Sequence, residues 1–302
     1  MKIAVFGAGS LGSLVGGVLA HAHDVTLVAR EDHARAIRES GLLLEGAFAD
    51  GPSRVFPGVT TDGTDLEADL AVVTVKSFDT ASAADALATG SVDVVLSLQN
   101  GMGNEATLAS RLDGPVLAGT ATYGAVRRAP GVVECTGHGD IVLGAREGGQ
   151  SVHAARVGEA FAAAGLETTV ADDMPRRLWE KLAVNAGINP VTALTATENG
   201  AITAEPAHDL ARAAARETAR LARACDVSLS NREAMAELEA VAEATAANTS
   251  SMHQDILSDR RTEIDAINGY VVDRAADHRL EVPTNRTLAA LVRTWERGRD
   301  LR

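Results

Sequence analysis

Residues 2–12 read Lys-Ile-Ala-Val-Phe-Gly-Ala-Gly-Ser-Leu-Gly, and this stretch decides the fold of the first half of the chain. Lys2 to Phe6 is a short apolar run of strand length. Gly7, Ala8, Gly9, Ser10, Leu11 and Gly12 then spell G-x-G-x-x-G where the strand gives way to a helical run through Ala20. Glycines in those places permit a tight turn and let backbone N–H groups approach a pyrophosphate at the helix N-terminus. A glycine-rich turn without a ligand is the plainer alternative, but a second strand predicted at Val25 to Ala29 puts the motif in a βαβ context. The turn therefore points to a dinucleotide. At the end of that second strand an acid would grip the ribose hydroxyls of NAD, whereas an arginine accommodates the 2′-phosphate of NADP. Arg30 comes first and Glu31 second, which favours NADP and leaves NAD possible.

Working outward, short strands are expected at Leu42–Glu45 and Arg54–Phe56, around a Gly/Pro turn. Asp69–Val75 is nearly all apolar, as a parallel strand buried on both faces must be. It ends at Lys76-Ser77, where the carboxyl ends of such strands meet ligands. Val92–Leu98 repeats the pattern and ends in Gln99-Asn100-Gly101-Met102-Gly103, with Asn100 placed to turn over the cofactor or simply to make the turn. Strands at Val116–Ala121, Val132–Cys135, Ile141–Leu143 and Glu167–Val170, with a helix at Val152–Ala164, complete an α/β domain predicted over residues 1–171.

From residue 172 to 302 strand patterns vanish and alanine-rich helical periodicity takes over. Helices are predicted at Pro175–Leu194, Ala207–Cys225, Arg232–Ala246, Glu263–His278 and Asn285–Arg297. Asp172-Asp173 suits a helix start, where the dipole favours acids. Pro190 lacks an N–H, so a kink or an end is expected near Asn189.

Composition narrows the function. No apolar run is long enough to span a membrane, and the N-terminus passes straight into a strand, so a cytoplasmic location is expected. Cys135 and Cys225 are too few for a disulfide framework and match no metal spacing. A net charge of −13 argues against nucleic acid and requires local positive charge or helix N-termini for any anionic ligand. Of the 28 basic residues only Lys2, Lys76 and Lys181 are lysines. Where lysine survives in so arginine-rich a chain, an ammonium able to release its proton is a reason, since arginine cannot do so.

Lys181 lies in Trp179–Pro190, WEKLAVNAGINP. Lys181, Asn185 and Asn189 recur every four positions, a drift of only about 40° per step on a helix, so they form one stripe. The residues between them are apolar. A cation and two amides set among buried faces are costly unless something polar meets them; an amphipathic helix with a wetted edge is the alternative. A second polar constellation runs Asn248-Thr249-Ser250-Ser251-Met252-His253, followed by Thr262-Glu263-Ile264-Asp265. The small polar residues suit a helix N-cap, and hydroxyls with free N–H groups there also suit a carboxylate. His253 reads as a surface or packing residue.

Together, KIAVFGAGSLG, VKSFD, LQNGMG, WEKLAVNAGINPVTAL, ENG at residues 198–200, SSMHQDI and TEIDAINGYV resemble the ketopantoate reductase family, in its order and at its spacings. The resemblance implies a Rossmann-type dinucleotide-binding domain followed by an all-helical domain, with the active site in the cleft between them. It implies NADPH-dependent reduction of 2-dehydropantoate to (R)-pantoate, a step of pantothenate and coenzyme A biosynthesis. It makes Lys181 the general acid, puts Asn185, Asn189, Asn199, Asn248 and Ser251 on substrate positions, and sets Glu263 near nicotinamide and substrate. On the cofactor side it matches residues 7–12, Arg30, Lys76, Asn100 and Ala125.

Two other readings are open at this level. A related NAD(P)-dependent reductase would act on another 2-keto acid or an imine, and a non-catalytic module would sense NADP without turnover. The histidines show no ligand-like spacing, so no metal is expected, and a monomer or homodimer is compatible with the helices.

Overall fold

In the computed structural model, which describes residues 1–47 and 51–302, the short apolar runs of the first half form strands. They are β1 (Lys2–Phe6), β2 (Asp24–Val28), β3 (Leu42–Gly46), β4 (Ser53–Val55), β5 (Gly58–Thr60), β6 (Glu67–Val73), β7 (Ser91–Ser97), β8 (Val116–Ala121), β9 (Gly124–Ala129), β10 (Val132–Gly137), β11 (Ile141–Ala145) and β12 (Thr168–Ala171). Among them lie α1 (Ser10–Leu19), α2 (Glu31–Ser40), α3 (Thr80–Leu87), α4 (Asn104–Ala109) and α5 (Val152–Ala163). The second half holds α6 (Met174–Thr195), α7 (Ala207–Ala224), α8 (Asn231–Ala244), α9 (Ser251–Leu257), α10 (Tyr270–Asp277) and α11 (Pro283–Arg297). The chain divides into two compact units, Met1–Gln99 with Asn104–Met174, and Asn100–Gly103 with Pro175–Arg302.

The first unit is α/β. Its main sheet runs β12-β11-β8-β7-β6-β1-β2-β5, and every neighbouring pair is parallel except β8 with β11. Strand β6 shows why its sequence is almost wholly apolar. Leu70 and Val72 enter the core formed with α1, while Ala71 and Val73 enter a second core with Ala83, Leu87 and Leu108. Alternate side chains thus bury on opposite faces of one sheet. A smaller sheet, β4-β3-β10-β9, packs against α1. Sequence reading missed β5 and β9. The first has three residues, and the second, GAVRRA, has no fully buried position to set a period of two. Part of the turn between β3 and β4, residues 48–50, lies outside the described residues.

The second unit is helical and built on α6, whose Leu182, Ala183, Val184, Ala186, Ile188, Val191 and Ala193 are all buried. Around it, α7 contributes alanines 211, 214, 215, 219 and 222 to the same core, thin side chains that let helices approach. Helix α6 runs through Pro190 to Thr195, in line with the predicted span Pro175–Leu194; of the kink or end expected near Asn189, the end does not occur. One expectation needs correction. The helix expected from Glu263 begins as a π turn at Asp265–Gly269, in which the Gly269 N–H reaches back to the Ile264 carbonyl at 2.8 Å, and α10 follows. Glu263 precedes both. Among the described residues no helix is long and apolar enough to cross a membrane.

Candidate active site

At the carboxyl end of β1 the chain turns at Gly7, whose φ of +108° disfavours any side chain. The Ala8 N–H is tied to the Val28 carbonyl at 2.9 Å, which holds the turn against β2. Gly9 differs from its neighbours. A Cβ there would meet nothing of the protein nearer than the Gly7 carbonyl oxygen at 3.9 Å, whereas one on Gly12 would come within 2.3 Å of that atom. Packing therefore explains glycine at 12 but not at 9. Open space above Gly9, at a helix N-terminus with no side-chain cap, fits a pyrophosphate lying close over the backbone. Ser10 accepts the Arg127 N–H at 3.1 Å, which brings β9, and with it Ala125, to the start of α1.

Arg30 is exposed at the N-cap of α2, and Glu31 is drawn aside by Arg38 at 3.6 Å. Arg127 adds a second guanidinium here, 4.0 Å from Asp32. Behind this edge His33 is fully buried. The Gly131 N–H donates to its Nδ1 at 3.0 Å, which leaves the proton on Nε2 to donate to Ser13 Oγ at 3.0 Å. Ser13 in turn donates to the Ala8 carbonyl at 3.2 Å. Burial, reinforced by the Arg127 charge, pushes the imidazole pKa down to about 4, so the ring is neutral.

Two loops at strand carboxyl ends carry Lys76 and Asn100, and a buried network supports them. Gln99 Nε2 donates to the Val75 carbonyl at 3.0 Å and to Thr80 Oγ1 at 2.7 Å, while Thr74 Oγ1 donates to the Gly7 carbonyl at 2.9 Å. Sequence reading named Lys76 and Asn100 but not Thr74, Thr80 or Gln99. Gln99 alone carried a signal, as the first polar residue of LQNGMG.

In the helical unit the stripe deepens along α6: Lys181 and Asn185 are half-buried and Asn189 is buried. Trp179 meets Tyr270 edge-on at 6.0 Å beside it. Further along, Thr192 Oγ1 donates to the Ile188 carbonyl at 2.9 Å and pairs with Ser250 Oγ at 2.8 Å. Ser250 is the N-cap of α9, accepting the His253 N–H at 3.2 Å. His253 is a packing residue, buried with Nδ1 on the Thr197 carbonyl at 3.1 Å. The Asn199 N–H donates to the Asn248 carbonyl at 2.9 Å. These bonds tie the stretch 189–199 to the stretch 248–253, about 50 residues further along, with Asn248 and Ser251 exposed.

Asn199 offers a further sign of a ligand. Its Nδ2 donates to Thr245 Oγ1 at 3.0 Å, and Thr245 spends its own hydrogen on the Val241 carbonyl at 2.6 Å, so the amide has one orientation. Asn199 Oδ1 is then a buried acceptor with no partner among the described residues. Such an atom calls for a donor.

Glu263 is buried between two anchors. Thr262 donates its N–H and hydroxyl to Glu296 Oε1 at 2.8 and 2.7 Å. Asp265 holds Arg293 at 2.8 Å and Arg302 at 2.6 Å. Burial alone would raise the Asp265 pKa, but the bonds from Arg302 and Arg293 outweigh it and hold the carboxyl below its usual range. Elsewhere Glu205, His208 and Asp209 gather within 4.8 Å, an arrangement that sequence spacing did not suggest. Both acids are exposed, and exposed acidic groups are common without an ion.

A parallel sheet with a phosphate-type glycine turn, joined to a helical unit that displays a lysine–amide stripe, defines the class: an oxidoreductase that uses a nicotinamide dinucleotide. Residues 3–148 match the family model of ketopantoate reductase PanE/ApbA, and residues 173–296 match that of its C-terminal part. The chain belongs to the ketopantoate reductase family. It is 45% identical over 304 residues to the 2-dehydropantoate 2-reductase of Halobacterium salinarum, covering 98% of this chain and 99% of that one. The Pyrococcus horikoshii 2-dehydropantoate 2-reductase is 39% identical, with 98% of each covered. Among solved structures, a PanE/ApbA family ketopantoate reductase from Ralstonia eutropha superposes with a TM-score of 0.91 at 35% identity, over 99% of this chain and 100% of that one. A D-mandelate dehydrogenase with NADH and anilino(oxo)acetate reaches the same TM-score at 24% identity over the full length of both chains, a likeness of fold alone.

Proposed function

We propose that this protein reduces 2-dehydropantoate to (R)-pantoate, with Lys181 as general acid and NADPH as the preferred reductant. The observation that carries this is the lysine–amide stripe on α6 beside a cluster holding an unpartnered acceptor, Asn199 Oδ1. When bound, the dinucleotide supplies the hydride that reduces the ketone carbon. Lys181 then donates a proton to the developing alkoxide, which balances the reduction to a secondary alcohol. Asn185, one turn along, orients the ammonium without neutralising it as a carboxylate would. Ser251, with N–H groups near the start of α9, holds the substrate carboxylate. Glu263 accepts the hydrogen of the distal hydroxyl, and Asn199 lies at a substrate position beside it. That recognition separates this substrate from simpler keto acids, because an analogue without the hydroxyl leaves buried partners unpaired. Residues 7–12 and the Arg30 edge hold the dinucleotide, and Lys76, Asn100 and Ala125 line it.

The test is NADPH oxidation followed by absorbance with ketopantoate, repeated with NADH and with pyruvate. Turnover with ketopantoate and little with pyruvate is expected, and the NADPH/NADH ratio reports how Arg30 and Glu31 divide their influence. Lys181→Ala should lower kcat by about 10²- to 10⁴-fold while NADPH affinity stays nearly unchanged; a variant that keeps its turnover removes Lys181 from the chemistry.

A further inference from the structure

Pro190 sits within α6 without an N–H, so the Ala186 carbonyl, one turn earlier, has lost its helical donor. Another element supplies one. Asn268 Nδ2 donates to the Ala186 carbonyl at 3.0 Å and to Asn285 Oδ1 at 2.9 Å. Asn285 Nδ2 donates onward to the Ala214 carbonyl at 3.1 Å and to Glu217 Oε2 at 2.9 Å. The Glu217 carboxylate also takes the N–H groups of Thr284 and Asn285, each at 3.0 Å, at the start of α11. Ala186, Asn268 and Asn285 are fully buried. Because the string ends on carbonyl and carboxylate acceptors, both amides can face only one way. Asn268 Oδ1 is left buried with no partner among the described residues. An amide that leaves its acceptor unpaired to aim its N–H groups at two acceptors is committed to those donors.

The place of this bond matters more than its strength. Ala186 follows Asn185 directly and precedes Asn189 by three positions, while Asn268 lies five residues after Glu263, in the π turn. An ordinary residue at 190 would bring its own N–H to the Ala186 carbonyl, so that Asn268 would no longer be the donor this carbonyl depends on. Proline transfers that part of the register of α6 from the helix itself to the segment that carries Glu263. We infer that Asn268 is a positioning residue: by taking the carbonyl that Pro190 strands, it sets the depth and rotation of the Lys181–Asn185–Asn189 stripe relative to Glu263. The inference rests on the proposed role of that stripe in keto-acid reduction.

Asn268→Asp keeps the shape but can turn oxygen towards two acceptors, Asn268→Leu removes the donors, and Pro190→Ala returns an N–H to the Ala186 carbonyl. For each variant kcat, the KM for ketopantoate, NADPH affinity and Tm are measured. N268D and N268L should lower kcat roughly tenfold or more and raise the keto-acid KM, with NADPH affinity unchanged. Combining P190A with N268L should recover most of the kcat that N268L loses. Loss of Tm with wild-type kcat and KM would overturn the inference, and so would a double variant no better than N268L. Asn268→Ser, which keeps one donor, is held to the same outcomes should N268L not fold. Wild-type turnover is measured alongside. If the wild type reduces no keto acid, the catalytic reading of the stripe falls, and the coupling is then judged by whether P190A restores the Tm that N268L loses.

Discussion

His33 shows how a single residue can serve a site it does not touch. Its neutral ring joins the Gly131 N–H to Ser13 and thereby to Ala8 in the phosphate turn. In the unfolded chain the imidazole titrates near 6.5, and in the fold near 4. Between those values the unfolded chain binds a proton that the folded chain refuses, so this contribution to stability is full above 6.5 and is lost as pH falls towards 4. Denaturant unfolding across that window should show the decline, and His33→Gln should flatten it; equal slopes in both proteins would assign the acid sensitivity to other groups. Asp265 adds to the same trend at lower pH, since its carboxyl is held below the ordinary range. Lys181 and the amides of its stripe were legible because side-chain type and spacing carry their message. His33 was not, because nothing in its neighbours reveals a partner on β10's approach, 98 positions away.

At the scale of elements, the glycine turn and α6 rest on different physics. The turn is local: Gly7 and Gly12 are required by the backbone itself, whereas a Cβ on Gly9 would enter open space. Gly9→Val should therefore leave Tm near wild type while weakening NADPH binding by roughly tenfold or more, a loss of ~1.4 kcal/mol for each factor of ten. Tight binding by a folded G9V protein would show that no phosphate passes close to that backbone. Helix α6, by contrast, is governed from outside. Proline argues for an interruption at 190, and the local rule is sound. The helix nevertheless continues to Thr195, and Asn268, 78 positions further on, supplies a donor to the carbonyl that proline leaves. The segment before α10 was misread for a related reason. Its helical periodicity is real, yet Thr262 is pulled onto Glu296, and the first turn closes with a five-residue spacing.

At the scale of the whole molecule charge matters most. A chain of net charge −13 repels itself, and the arginine–acid pairs that relieve the repulsion, such as Arg212–Glu239 and Arg128–Glu134, lie at least partly exposed. Exposed pairs contribute only about 0–1 kcal/mol each, so screening should do more to relieve the repulsion than to weaken the pairs. Tm is expected to rise as KCl increases from low to molar concentration. A falling Tm would mean that the ion pairs outweigh the repulsion.

By itself the sequence determined the α/β first half, the helical second half, the glycine turn and the lysine–amide stripe. Each follows from residue type and short-range period, which act within one strand or one helical turn. Only the tertiary structure decided the order of the strands, the bonding of the 189–199 stretch to the 248–253 stretch, and the donor that meets the carbonyl stranded by Pro190. Those depend on hydrogen bonds between residues far apart in the chain, whose donors and acceptors find one another only when the core has closed around them.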